Sequence, residues 1–128
     1  MRIEVLDHLV LTVADIGRTR DFYERVLGME PGVFGDSRYT LAFGAQKINL
    51  HKAGQEFEPK AVVPTPGSAD LCFLTDLSMA EVVKHLEANS VEIIEGPVRR
   101  TGAAGLIKSV YFRNPDGNLL EVSSRLGE

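Results

Sequence analysis

The pattern of structural signals in this chain is written twice, and a repeated order of elements restricts the fold more than any single motif does. One strand-like segment runs from Ile3 to Val13 and another from Ala69 to Thr75. They place His8 and Asp70 at matching points before the apolar runs Leu9-Val10-Leu11 and Leu71-Cys72-Phe73. After each strand the apolar residues change to helical spacing, first Thr19, Phe22, Tyr23, Val26 and Leu27, then Met79, Val82, Val83 and Leu86. Asp15 suits an N-cap and Gly28 a helix stop, while Ser78 with Glu81 forms a capping box for the second helix. Three more strand segments follow each helix: Met29 to Phe34, Arg38 to Phe43 and Lys47 to Lys52, then Val91 to Glu95, Ile107 to Phe112 and Asn118 to Ser123. Gly44-Ala45-Gln46 and Asn114 to Gly117 supply the hairpin turns. Each half is therefore βαβββ.

The expectation is an α+β fold of two βαβββ modules, with curved half-barrel sheets facing inward and helices outside. At 128 residues the chain is sized for one domain, with module 1 over about 1–52, a linker over 53–68 and module 2 over about 69–128. The linker holds Gly54, Pro59, Pro64, Pro66 and Gly67 and shows no period, which suits a lid or crossover segment.

A net charge of -4 offers no basic field for phosphate backbones, so no nucleic acid is expected as partner. No apolar stretch approaches the roughly 20 residues that span a bilayer, and Asp7 and His8 interrupt any signal-peptide core, so no membrane partner is expected either. Cys72 is the single cysteine. It cannot form an intrachain disulfide, and its apolar surroundings predict a buried structural thiol in a soluble, cytoplasmic protein.

The chemistry concentrates in FRNPDGNLLEVSS, Phe112 to Ser124. In the turn, Pro115 presets the backbone, Asp116 caps it, and Gly117 takes the positive dihedral. Beyond it, Glu121 stands between Leu120 and Val122, so it points to the opposite face of the sheet, where a carboxylate needs a partner, a proton or a metal. Strand parity assigns the other inward residues: His8, Val10 and Thr12; Asn49 and His51; Asp70 and Cys72; Glu121 and Ser123. His8, His51, Asp70 and Glu121 then aim at one cavity. Imidazoles with carboxylates are ligands for zinc, nickel, manganese, cobalt or ferrous iron, and two histidines with a carboxylate leave positions open for substrate.

Each residue also has a plainer account. His8 alone could be a hydrogen-bonded core histidine, Asp70 a loop-end turn carboxylate, Glu121 a solvent-facing strand residue. His51 could contact substrate or orient a ligand, a role for which Asn49 competes. Tyr111, flanked by outward-packing Val110 and Phe112, faces the cavity as a proton donor or anion contact, or packs at the rim. Arg99 and Arg100 lie in the glycine-bearing segment Gly96 to Gly105, either a mobile flap that clamps an anionic substrate or a solvated basic loop. Gly102-Ala103-Ala104-Gly105 lacks the lysine and hydroxyl of a phosphate loop, and His85 reads as a surface residue.

LDHLVLTVADIGRTRDFYERVLGME near the start and YFRNPDGNLLEVS near the end resemble the vicinal oxygen chelate superfamily. That superfamily groups glyoxalase I, extradiol dioxygenases, fosfomycin-resistance proteins and bleomycin-binding proteins. FGAQKINLHKAGQEFEPKA and PGSADLCF are similar to the subgroup called glyoxalase domain-containing protein 5. The resemblance implies paired βαβββ modules and a homodimer, with each cavity either held within one chain or shared between subunits. It also implies His8 as the first-strand metal ligand and Glu121 as the last-strand one. Asp70 falls where many relatives have histidine. Asn49 replaces the glutamate ligand of glyoxalase I, with His51 two residues later, so the glyoxalase I site is not reproduced. Tyr111 matches the tyrosine before the glutamate in extradiol dioxygenases, although that group's additional catalytic histidines have no counterpart.

The expected function is that of a divalent-metal-dependent enzyme chelating vicinal oxygens of a small substrate, of lyase, isomerase or dioxygenase type. His8 and Glu121 would hold the ion, Asp70 or His51 would complete the site, Tyr111 would assist proton transfer, and Asn49, Arg99 and Arg100 would contact substrate. The alternatives are a metal-free small-molecule-binding or antibiotic-sequestering protein of the same fold, and an interaction module without an open pocket.

Overall fold

The computed structural model describes residues 1–127, which divide into two compact units, Met1–Gly67 and Ser68 onward. The architecture is α+β, with one helix and one four-stranded mixed sheet in each unit.

In unit 1, β1 (His8–Val13), α1 (Ile16–Leu27), β2 (Glu30–Phe34), β3 (Arg38–Phe43) and β4 (Gln46–Lys52) form a sheet of order β1-β4-β3-β2. β1 runs parallel to β4, and the other pairs are antiparallel. Asp15 starts α1 by accepting a hydrogen bond from the Arg18 amide at 2.9 Å, and Gly28 is its C-cap. Thr19, Phe22, Tyr23 and Val26 make one buried stripe on the helix. It packs with Leu11, Val13, Leu41, Ile48 and Leu50, all buried, and each such apolar side chain contributes about 1.5–3 kcal/mol. The expected first strand is shorter than its sequence pattern. β1 begins at His8, whose ladder partner is Lys47. β4 itself begins one residue earlier, at Gln46, so residues 3–6 have no rungs left to pair with, and Ile3 and Val5 stay exposed.

In unit 2, β5 (Asp70–Thr75), α2 (Met79–Ala88), β6 (Glu95–Gly102), β7 (Gly105–Arg113) and β8 (Leu119–Arg125) form a sheet of order β5-β8-β7-β6. Ser78 and Glu81 make the expected capping box, and the buried face of α2 carries Met79, Val82 and Leu86. Val110, Phe112, Leu120 and Val122 supply the sheet's share of the core.

Two expectations are corrected here. The strand placed over Val91 to Glu95 lies instead over Glu95–Gly102, and the supposed loop from Gly96 to Gly105 is one arm and the tip of a β-hairpin. The Val91 amide is used to close α2, donating to the Leu86 carbonyl at 2.9 Å. β7, nine residues long, meanwhile offers Ser109, Lys108 and Ile107 as partners for Val98, Arg99 and Arg100. Pairing with an available edge overrides the polar, glycine-bearing composition. Gly96 is required at the start of β6: its φ is 98°, and a Cβ there would fall 2.3 Å from the Ser109 carbonyl oxygen.

The second correction concerns the turn before β8. Asn114, not Asp116, organises it: Asn114 Oδ1 accepts from the amides of Asp116 at 3.1 Å and Asn118 at 3.0 Å. Asn118 Oδ1 in turn accepts from the Ala69 amide at 2.9 Å, tying the turn to the start of β5. Gly117 takes the positive φ of 84°. Among the described residues no helix is long and apolar enough to cross a membrane.

Candidate functional site

Ladder register in unit 2 lines up four side chains across one face of the sheet. Cys72 pairs with Glu121, Glu121 with Tyr111, and Tyr111 with Glu95. The opposite face takes Val110, Phe112, Leu120 and Val122 into the core. Cys72, Glu121, Tyr111 and Arg100 line a cavity of about 530 Å³, with the Gly102–Gly105 hairpin tip also in its wall.

Arg100 is fixed from two sides, with its Nε donating to the Tyr111 hydroxyl at 2.9 Å and its guanidinium ion-paired with Glu95. The Tyr111 phenol first, and the Glu95 carboxylate after it, favour the charged guanidinium. Beneath Glu121, Ser109 and Ser123 share a 2.6 Å hydrogen bond in full burial. Ser123 reaches the Cys72 sulfur at 3.4 Å and donates to Glu121 Oε2 at 3.4 Å. Burial pushes the Cys72 thiol above its ordinary pKa, with the neighbouring Glu121 carboxylate adding to the effect, so it is a neutral thiol at pH 7.

Cys72 thus overturns the expectation of a buried structural thiol. It is exposed, because parity turns it away from Leu71 and Phe73 and into the cavity. Asp70 shares that face two residues earlier, opposite Leu119, but it is exposed and does not line the cavity. Arg99 pairs with Lys108 and stands on the other face of β6 from Arg100, since neighbours in a strand alternate.

In unit 1 the face opposite α1 carries His8 beside Lys47, Val10 beside Asn49, and Thr12 beside His51. His8 and His51 therefore stand toward opposite ends of the β1/β4 ladder, about 13 Å apart at 3.3 Å per residue. Asn49, not His51, is the nearer of the two to His8 on this face. His8 Nδ1 bonds Asp7 Oδ2 at 2.8 Å, which leaves Nε2 unengaged. That arrangement, a carboxylate orienting an imidazole, is typical of metal-ligating histidines. Asn49 Oδ1 is buried without a hydrogen-bond partner among the described residues.

His51 lies in a second cavity of about 350 Å³ with Val10, Thr12, Pro59, Lys60 and Pro64, under the segment that follows β4. Its ring meets Phe57 edge-on at 5.7 Å. Burial first, then the charges of Arg38 and Lys60, hold its pKa below the ordinary 6.5 despite an opposing pull from Glu56, so it is a neutral imidazole at pH 7.

Among the described residues no three His, Cys, Asp or Glu side chains gather closely enough to hold an ion. Taken singly, the donor types nonetheless suit one: an oriented imidazole at His8 in unit 1, and in unit 2 the Glu121 carboxylate with its long contact from Ser123. Sequence reasoning missed Lys47 beside His8 and the Ser109–Ser123 pair. The serine pair was within reach, because setting Tyr111 opposite Glu121 across the hairpin also sets Ser109 opposite Ser123.

Residues 5–122 match the profile of the Glyoxalase/Bleomycin resistance protein/Dioxygenase superfamily. Virulence protein STM3117 of Salmonella typhimurium strain LT2 is 57% identical over 123 residues, 96% of this chain and 85% of that protein. Its crystal structure superposes with a TM-score of 0.97, covering 98% of this chain and all of that one. Glyoxalase domain-containing protein RDO1 of Mycosarcoma maydis is 55% identical over 124 residues, 97% of this chain and 70% of that protein. A more distant relative, metallothiol transferase FosB of Shouchella clausii, is 27% identical over 119 residues, 91% of this chain and 77% of that protein. With a repeated helix-and-mixed-sheet unit and a family match running through both halves, the chain belongs to the Glyoxalase/Bleomycin resistance protein/Dioxygenase superfamily.

Proposed function

We propose that the protein is a divalent-metal-dependent enzyme acting on a small molecule with two neighbouring oxygens, by lyase, isomerase or dioxygenase chemistry. The observation that carries this reading is the row Cys72, Glu121 and Tyr111, opening with Arg100 into one cavity. The name of FosB, a metallothiol transferase, supports metal chemistry within the superfamily. The likeness to the glyoxalase domain-containing protein 5 subgroup, a homodimeric state and a cytoplasmic location belong to the same reading.

His8 and Glu121 would hold the ion, with Asp70 or His51 as candidates to complete its coordination. When bound, such an ion supplies a Lewis acid that stabilises an enolate or alkoxide. The chain's own groups do the rest. Tyr111, whose oxygen accepts from Arg100, keeps its O–H for donation to a substrate oxygen. Arg100 sets a fixed positive charge beside that oxygen, where developing negative charge is best stabilised in a partly dry site. Cys72, held as a thiol, does not compete as a nucleophile.

Metal analysis of the purified full chain, with His8→Ala and Glu121→Ala alongside, tests the assignment. The native protein is expected to retain a divalent ion that both variants lose, and divalent ions should raise the Tm of the native protein alone. Equal and negligible metal in all three, together with ligand stabilisation that chelators leave untouched, refutes it in favour of a metal-free binding protein.

A further inference from the structure

We infer that unit 1 carries a separate binding site for a small carboxylate with a hydrocarbon body, anchored by Arg20 on the helix-bearing face of its sheet. A cavity of about 720 Å³ opens there, with Ile16, Arg20, Tyr39, Lys52, Gln55 and Phe57 in its walls. Tyr39 pairs with Leu50, whereas Thr40 pairs with Asn49, so this face is the opposite one from His8, Asn49 and His51. None of its residues is used by the proposed metal chemistry.

Two cations in this cavity lack anionic partners. Neither Arg20 nor Lys52 takes part in an ion pair among the described residues. The Arg20 guanidinium carbon lies 5.0 Å from the centre of the Tyr39 ring, a cation–π contact. Its Nε is buried and has no hydrogen-bond partner among the described residues. A buried donor on a charged group is costly to leave unmatched. The two terminal nitrogens of the guanidinium can donate a pair of parallel hydrogen bonds end-on, which fit the two oxygens of a carboxylate.

Charge count and wall chemistry narrow the ligand class. Asp15 also lines the cavity, with its carboxylate accepting from the Arg18 amide. Two cations against one carboxylate favour a monoanion over a dianion such as phosphate. Ile16, Leu50 and Phe57 offer apolar surface for a ring or short chain, as small-molecule sites generally do around a few polar anchors.

Benzoate and its neutral isostere benzamide are suitable probes, titrated into the ¹⁵N-labelled full chain while the Arg20 Nε–H and Gly17 amide resonances are followed by NMR. Benzoate is expected to shift both saturably and to bind at least about tenfold tighter than benzamide, the difference made by a charge-assisted pair of hydrogen bonds. Arg20→Met should abolish the shift at Gly17, and Lys52→Met, at an exposed position, should weaken binding several-fold with a native-like spectrum. If Arg20→Met does not fold, Arg20→Lys takes its place, with weaker binding expected because the fork is lost. The inference is overturned if benzoate gives no saturable shift, if benzamide binds equally well, or if the folded Arg20 and Lys52 variants keep native affinity.

Discussion

Replacing Gly96 with alanine should be among the most damaging single-methyl additions this chain can receive. The new Cβ would lie 2.3 Å from the Ser109 carbonyl oxygen and 3.1 Å from the Val110 Cα, both backbone atoms of β7. No rotamer relieves such a contact, so β6 must lift away from its neighbour, at an overpacking cost of about 1–3 kcal/mol. The φ of 98° adds strain of roughly 1–2 kcal/mol for any residue with a side chain. Together these predict a loss of about 3 kcal/mol. Gly117→Ala isolates the second contribution: its φ is 84°, but nothing lies within 4 Å of the added carbon, so about 1 kcal/mol is expected. Urea unfolding of both variants, compared at unchanged m, measures the difference directly. A Gly96→Ala protein no less stable than Gly117→Ala would refute the idea that this glycine lets β6 lie on β7.

Three further outcomes follow from the same structure. His51 has a folded-state pKa below 6.5, so the contribution of its neutral form to stability is present above the unfolded value and is lost as pH falls through the folded one. Urea midpoints of the native protein should therefore drop more steeply on acidification below about pH 6.5 than those of His51→Asn, and parallel curves would contradict this. Asn118→Ala removes the acceptor for the Ala69 amide and should cost about 2 kcal/mol, read as a lower thermal midpoint. Ser78→Ala breaks the reciprocal cap of α2 and should cost about 1 kcal/mol, with reduced amide protection confined to the first helical turn in hydrogen exchange.

The order of elements was legible because caps and periodicity are local: Asp15, Ser78 and Glu81 announce their helices without any tertiary information. β6 was not legible, because Arg99 and Arg100 enter a strand only through the edge that β7 presents, a partner no local pattern reveals. Parity placed Glu121 and Tyr111 on the correct face, and the ladder makes them direct neighbours. Register was harder to infer. That His8 meets Lys47 while His51 meets Thr12 depends on how β1 slides along β4, which face alternation alone leaves open. Cys72 shows the same limit from another side: its apolar neighbours suggested burial, yet they pack on the face it turns away from.

The anchor between Asn118 and Ala69 bears on how this chain can change over time. Adding or deleting one residue in the turn before β8 would exchange the acidic side chain at 121 for a core leucine or valine, sending each to the environment meant for the other. Chemistry and folding are thus recorded on alternate residues of a single ribbon, and drift in one is policed by failure of the other. The tip at Ala103 and Ala104 carries no such double duty. Length variation that tunes what enters the cavity should accumulate there, while the turn at 114–118 keeps its count.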